Sequence, residues 1–515
     1  MEASLSVQGS DLVKQELNRL SASLFIEGKV LKSASTELIP VIDPATGLPI
    51  GKVAEATPAE ISKCLLDAKT AWKDWHALSA QERASALHQV TSAIRDRKPV
   101  IAELMTREMG KPYKEAIDEV EWCTAAISYY AELARHDAGR VVGNTVPGQF
   151  QYVVKEPLGV VGLIMPFNFP LVLLAWEAAA ALAAGNAVIV KPSELTSLST
   201  LLFVECFASS LPPGLLSCVT GRGNVGAQLV SSPHTSMIGF TGSVATGQLV
   251  AEACARQFKR CLIEASGNDP FIVMPSAKLD VAARAASFAA FVNNGQVCTS
   301  AERLLIHRDV HDAFVGRMIE ETSKLRIGNG LDQVDLGPMA SERERARFEG
   351  VIARAVEQGA RIVCGGKRPN HLNAGFFHEP TILVDVRPDM DIMKHEPFGP
   401  VAAICRVDSF EDAIRVANAS DFGLGATIYT SDLNEAHRAV AELESGMVWV
   451  NAPLLDNPAG PFGGRKMSGI GRQLGLEGLE TFRESKFVMI DPAAPAHDFW
   501  WFPYSKAEAF ASTGV

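Results

Sequence analysis

Cys298 lies in Asn293-Asn294-Gly295-Gln296-Val297-Cys298-Thr299-Ser300, a polar, glycine-containing loop that interrupts an apolar region. A thiol there is placed to act as a nucleophile. Cysteines embedded in helices and strands behave instead as small hydrophobes. The other eight cysteines mostly fall in such patterns, so Cys298 is the nucleophile candidate. Glu264 closes the apolar run Cys261-Leu262-Ile263-Glu264. A carboxylate at the C-terminal end of a parallel strand faces the crevice where ligands bind, and burial there raises its pKa towards that of a useful base. Asn168, in Pro166-Phe167-Asn168-Phe169-Pro170, follows another apolar run and offers an amide donor to an oxyanion. A nucleophilic thiol, a basic carboxyl and an oxyanion-holding amide are the residue types that covalent catalysis uses.

A second set of residues points to a dinucleotide. In a doubly wound sheet the acid that grips the adenosine ribose follows the second strand. The run 187–191 leads into Pro192-Ser193-Glu194, so Glu194 is placed for the ribose hydroxyls and Lys191 beside it is a donor. A carboxylate there would repel a 2′-phosphate, favouring NAD over NADP; Glu194 would equally cap the helix that follows. Gly221-Arg222-Gly223-Asn224-Val225-Gly226 matches the G-x-G-x-x-G spacing, but it follows the third strand of the unit rather than the first, and a plain glycine turn reads as well. Gly242-Ser243 also joins a strand to a helix, where backbone N–H groups and a hydroxyl suit a phosphate or simply start the helix.

These residues need a scaffold. Residues 25–53 hold short β-like runs. Residues 57–135 read as helices, opened by Thr57-Pro58-Ala59-Glu60 and Ser79-Ala80-Gln81-Glu82. Residues 157–266 alternate apolar strands (160–165, 187–191, 216–220, 237–240, 260–265) with helices, including 171–184 and 195–211. Continuous apolar strands alternating with helices imply a parallel sheet covered on both faces. Residues 267–465 repeat the alternation, with strands at 271–274, 303–307, 361–364, 381–384, 401–407, 426–429 and 447–450. The expected class is α/β: a Rossmann-like doubly wound cofactor domain (1–135 and 157–265), a second α/β catalytic domain (266–465) and a small β arm (136–156 and 466–491). An aromatic tail at 492–515 follows. An exposed β edge is usually covered by another chain, so the arm predicts a homodimer or homotetramer.

The 515 residues carry 47% apolar and 21% charged side chains and a net charge of −11, with no basic cluster, which argues against nucleic-acid or polybasic membrane partners. Residues 1–24 lack the basic-then-apolar order of a signal peptide. Nine scattered cysteines without a C-x-x-C pair suit a reducing, cytoplasmic setting, and no metal is expected. The apolar stretch 171–190 is broken by Gly185-Asn186, so it reads as a core helix and a core strand rather than a membrane span.

Taken together these motifs resemble the aldehyde dehydrogenase superfamily over residues 25–490. The marks are Asp43-Pro44-Ala45-Thr46-Gly47, residues 166–170, 191–194 and 240–243, Glu264, residues 295–298, Glu396-Pro397-Phe398-Gly399-Pro400, and residues 461–464. The resemblance implies NAD-dependent oxidation of an aldehyde to its acid: Cys298 attacks, Asn168 and the Cys298 N–H hold the oxyanion, and Glu264 activates the water that hydrolyses the thioester. It implies Met165, Phe167, Lys191, Glu194, Gly226, Gly242, Ser243, Gly247, Glu396 and Phe398 along the cofactor. It places Phe169, Leu173, Trp176, Val297, Thr299 and the loop containing Asp456 along the substrate funnel, together with Phe291 or Val292. The anionic Asp456 would favour a cationic aminoaldehyde, or be a surface group at the mouth. A CoA-acylating relative or a non-catalytic ligand-binding descendant are the alternatives, and Glu264 together with Cys298, Asn168 and Glu396 speaks against both. The Gly221-Arg222-Gly223 turn and the Cys298–Arg303 run are similar to the lactaldehyde and betaine-aldehyde branches.

The chain departs from the family pattern in three places. Ala265-Ser266-Gly267 stands where Leu-Gly-Gly is usual, which puts the swing of Glu264 in question. Glu177 stands in place of a lysine and Gln473 in place of a glutamate, so the pair has exchanged charge near the base's proton path. Glu177 is then the candidate proton acceptor behind Glu264, or a bystander on its helix.

Overall fold

Five strands make the first parallel sheet: β1 (Val160–Ile164), β2 (Ala187–Lys191), β3 (Leu216–Cys218), β4 (Met237–Thr241) and β5 (Arg260–Glu264). The computed structural model describes residues 2–136, 139–494 and 501–502. In the sheet the strands run β3-β2-β1-β4-β5, all parallel, so the order reverses beside β1. The crevice at that switch point lies beyond the C-terminal ends of β1 and β4. Those ends lead into Asn168 and Ser243, while Glu264 ends β5. Antiparallel strands cap both edges: Ser23–Ile26 and Lys29–Lys32 beside β3, and Gly469–Ile470 beside β5.

The second sheet orders Arg361–Cys364, Thr381–Val386, Val401–Val407, Ala301–His307, Asp269–Val273, Gly425–Tyr429 and Met447–Val450, parallel except for the first strand. All seven coincide with the apolar runs read from the sequence. The chain passes from the first sheet to the second through residues 265–268 and returns through the segment before Gly469. The two crossings touch: Ala265 donates its N–H to Ser468 O (2.9 Å), and Ser468 Oγ donates to Ser266 O (2.8 Å).

Capping chemistry sets the helices around the first sheet. Pro58–Ala77 and Ala80–Met109 both begin with a reciprocal capping box, Thr57 with Glu60 and Ser79 with Glu82. The helix α1 (Val172–Ala184) is buried along its whole length and stops at Gly185, whose φ of 100° suits a residue without a Cβ. Among the described residues no helix is long and apolar enough to cross a membrane.

Three expectations need adjusting. Residues 2–20 form a helix, which the mixed charge of that stretch obscured; Val13, Leu17 and Leu20, at helical spacing, are its buried face. The helix expected over 195–211 covers only Ser197–Glu205, and residues 206–211 tighten into i→i−3 turns such as Cys206 N to Phe203 O before Pro212. The stretch 466–491 divides. Gly469–Ile470 pairs with β5 through its backbone, its Ile470 side chain left exposed, and Gly475–Thr481 docks its buried Leu479 in the core that holds α1. Only Arg483–Ile490 pairs with Phe150–Pro157, which in turn pairs with Gly139–Val142. Most of the aromatic run 499–504 lies outside the described residues.

Candidate active site

The loops beyond β1, β4 and β5 and the loop carrying Cys298 wall a cleft of about 1010 Å³. Cys298 and Glu264 meet on its floor. Burial, opposed by the neighbouring Cys298 thiol, pushes the Glu264 pKa well above the carboxylate range. Burial and the neighbouring Glu264 carboxyl push the Cys298 thiol up as well. A proton shared between a thiol and a carboxyl, both costly to ionise in that setting, is poised to move once a carbonyl takes up the sulfur's charge.

The nucleophile loop is fastened from several sides. Asn168 Nδ2 donates to Gln296 O (3.1 Å), and Asn293 Nδ2 donates to Asn168 O (2.9 Å) and Gln296 O (3.2 Å). An amide nitrogen carries two N–H groups, so Asn168 retains one for an oxyanion. Gln296 Oε1 accepts from Ala340 N (3.1 Å). The segment bearing Asn168 is held by Glu119, whose Oε1 accepts the N–H groups of Leu171 (2.9 Å) and Val172 (3.2 Å) at the start of α1. Lys111 completes a buried ion pair with Glu119 and stands 3.9 Å over the Phe169 ring.

Gly267 brings the base and the nucleophile together, and nothing in the sequence singled it out. A Cβ at 267 would overlap the carbonyl oxygen of Cys298. The Gly267 N–H donates to Glu396 Oε1 (3.1 Å), and the Ser266 hydroxyl also donates to Glu396. The unusual serine after the base therefore serves Glu396, whose pKa burial raises to about 7. Phe398 adopts φ 45°, donates its N–H to Glu302 (2.9 Å) and meets Phe167 edge-on with ring centroids 6.0 Å apart.

Along the cleft away from Cys298 lie Met165, Phe167, Lys191, Glu194, Gly226, Gly242 and Ser243, with Glu396 and Phe398 nearer the thiol. Burial lowers the Lys191 pKa, while Glu194 and Glu55 act to raise it. The Ser243 hydroxyl already caps its helix by accepting from Thr246 N (3.4 Å), so that helix start is built into the wall. Gly247 is not among the lining residues. It is a packing glycine, since a Cβ there would press on Ile263 and Phe240. Glu344 and Arg347, from the helix Glu342–Glu357, also reach the cleft, and Arg347 donates to Pro397 O (2.6 Å). Their spacing on a charged helix gave no sign of this.

The proposed funnel residues do not line this cleft. Leu173 and Trp176 are buried on α1, with Trp176 against Phe462 at 5.0 Å. Val297 and Thr299 flank Cys298 and are buried, while Phe291 belongs to the core of the second sheet. Asp456 is exposed to solvent, and desolvation pushes its pKa up to about 7. Behind the base, Glu177 is sealed from solvent, accepts from Gln473 Nε2 (2.6 Å), and has an Oε2 with no hydrogen-bond partner.

The sequence matches the aldehyde dehydrogenase family model over residues 30–488. It is 39% identical to a betaine aldehyde dehydrogenase of Cereibacter sphaeroides over 476 residues, 91% of this chain and 97% of that one. It is 38% identical to the NADP(+) succinate-semialdehyde dehydrogenase of Escherichia coli strain K12, covering 92% and 98%. Its fold superposes on a crystal structure of betaine aldehyde dehydrogenase from Staphylococcus aureus in complex with NAD+, with a TM-score of 0.91 at 31% identity, covering 95% and 98% of the two chains.

Proposed function

The chain belongs to the aldehyde dehydrogenase family, and from that premise we propose that Cys298 is its nucleophile, Glu264 its base and Asn168 its oxyanion donor. The family reaction oxidises an aldehyde to its carboxylic acid. The observation that carries the assignment is that Cys298, Glu264 and Asn168 line one cleft, with the thiol close enough to the Glu264 carboxyl for each to shift the other's pKa.

As the sulfur bonds to the aldehyde carbon, the thiol proton passes to Glu264. The carbonyl oxygen takes the negative charge and is met by the second Asn168 N–H and the Cys298 backbone N–H. NAD, which Lys191, Glu194 and Glu396 would help to hold, would supply the acceptor for the hydride leaving the same carbon. Once Glu264 has passed the thiol proton on, a water that gives its own proton to the freed carboxylate hydrolyses the resulting thioester, and the C–S bond breaks to release the acid and return the sulfur as thiolate. Glu264 must then pass its proton on. β4 and β5 set Thr241 in register beside Glu264, and Gln473 Nε2 reaches both Thr241 Oγ1 (3.5 Å) and Glu177. Glu177 is the proton acceptor in this reading, since Gln473 cannot ionise.

The cleft fits a dinucleotide. Lys191, Glu194 and the helix start at Ser243 share its far end, and a side chain at Gly226 would grow against Ile164 and the Lys191 stem, both part of its wall. The carboxylate of Glu194 supports NAD as the preferred form. Asp456 supports a cationic aminoaldehyde as substrate. A panel of cationic, neutral and anionic aldehydes, run with NAD and with NADP, tests both readings; equal turnover of succinic semialdehyde and an aminoaldehyde would remove the role given to Asp456.

The cofactor portion comprises 1–135 and 157–265, the catalytic portion 266–465, and the arm is the sheet of 139–157 with 483–490. Val141, Phe150, Phe487 and Ile490 are exposed apolar residues on that arm, which supports pairing with a second copy. A monomer by light scattering at micromolar concentration would refute it.

A further inference from the structure

The loop that presents Cys298 is held in an unfavourable backbone conformation. Asn293, Asn294 and Gly295 have φ of 50°, 59° and 68°, three left-handed residues in succession. Such a run persists only where its surroundings impose it. Gly295 is required, because a Cβ there would overlap Gly399 O. The Asn294 side chain gives no help: its Oδ1 and Nδ2 are buried without a partner. Asn293 is tied at both ends. Its side chain bonds Asn168 O and Gln296 O, and its backbone N–H donates to Glu115 Oε2 at 3.0 Å.

Glu115 comes from the helix Tyr113–His136, far from Cys298 in the chain. It lines a second cleft, about 640 Å³, whose walls include Phe288, Phe291 and Val292 but none of the cofactor-cleft residues. The carboxyl therefore touches the nucleophile loop from behind, on the side away from the reacting atoms.

We propose that Glu115 is a positioning residue for the nucleophile: by accepting the Asn293 N–H it holds the left-handed run 293–295 and so fixes where the Cys298 thiol and backbone N–H meet the aldehyde. The inference rests on Cys298 being the nucleophile. Without the acceptor, a buried N–H loses its partner and the run relaxes. A shift of about 1 Å in a nucleophile costs on the order of a hundredfold in rate.

The test uses the full-length enzyme with Glu115→Leu, Glu115→Gln and the double variant Glu115→Leu/Asn294→Gly. The readouts are the rate of the NADH burst, the alkylation rate of Cys298 by iodoacetamide followed on its peptide, and NAD affinity by fluorescence. Glu115→Leu should slow burst and alkylation about ten- to a hundredfold with NAD affinity unchanged. Glu115→Gln keeps an amide oxygen to accept the N–H and should restore both to within a few-fold. Glycine at 294 removes the Cβ cost of the left-handed conformation, so the double variant should regain much of the lost rate. A wild-type burst in Glu115→Leu, a Glu115→Gln as slow as Glu115→Leu, or no rescue by Asn294→Gly would each overturn the proposal. If Glu115→Leu does not fold, Glu115→Ser, too short to reach Asn293, replaces it in the series. Cys298→Ala separates the two levels: a burst that survives it removes the nucleophile assignment, whereas a silent Cys298→Ala beside a fast Glu115→Leu removes only the role of Glu115.

Discussion

Gln473 donates its side-chain amide to the carboxyl of Glu177 at 2.6 Å, with both groups sealed from solvent. Desolvation dominates there, opposed by the bond from Gln473 and the nearby Thr241 hydroxyl, and raises the Glu177 pKa to about 8. A carboxyl whose folded pKa is raised contributes stability that is full below its unfolded value near 4.5 and is lost as pH climbs through about 8. Glu177→Gln removes that titration, so its melting temperature should fall less than the wild type's between pH 5 and 9. The slope at stake is at most about 1.4 kcal/mol per pH unit. Burst amplitude should be unchanged while steady-state turnover drops several-fold and kcat loses its rise towards pH 8. Superimposable pH profiles would leave Glu177 as a structural group on α1.

Cys298→Ala should abolish the NADH burst and the steady state while NAD still binds, as isothermal titration would show. Glu264→Gln retains size and polarity but accepts no proton. It should slow the burst, because the thiol proton loses its acceptor, and slow hydrolysis more, leaving a resolvable burst followed by a steady state lowered about 10²–10⁴-fold. Equal loss in both phases would contradict a role for Glu264 in deacylation.

Glu194 lies on the cleft wall, and in the proposed reading it sets the cofactor choice. A 2′-phosphate beside it is repelled and cannot return the hydrogen bonds of a diol, a difference of about 1–3 kcal/mol. The ratio of kcat/KM for NAD over NADP should therefore be about ten- to two-hundredfold in the wild type and fall several-fold in Glu194→Ser. Equal use of both cofactors by the wild type would remove Glu194 from the ribose site.

Asp456, pushed up to about 7 by desolvation, is ionised only above that pH. The KM for an aminoaldehyde should thus fall as pH rises from 6 to 8, and Asp456→Asn should flatten that dependence while leaving a neutral aldehyde unaffected. A parallel change in both substrates would point away from charge recognition.

The sheet strands were legible because a strand covered on both faces is a continuous apolar run; Ala187–Lys191 and Val401–Val407 leave little choice of period. Glu264 and Glu194 stood out because each puts a carboxyl where such a run ends, and Cys298 because its polar loop interrupts an apolar region. The partners that fasten them did not. Glu115 and Glu119 look like ordinary charges on a helix, and only the docking of that helix brings them to the N–H groups of Asn293 and Leu171. Gly267 was passed over for a related reason: its need for a missing Cβ exists only when the Cys298 loop lies against it. Ser266, read as a perturbation of the base, is a donor to Glu396, a distinction that depends on a residue more than a hundred positions away.

The adjacency of the two chain crossings, 265–268 and Ser468–Gly469, makes a pivot of the place where chemistry occurs. Glu264 ends one sheet at this pivot, and Cys298 leans on it through Gly267. A rigid rotation of one sheet against the other moves atoms in proportion to their distance from the axis. The thiol and the carboxyl lie beside these crossings, while Glu194 follows β2, three strands along the sheet from β5. Any relative rotation of the two sheets about these crossings would displace Glu194 more than it displaces the reacting pair.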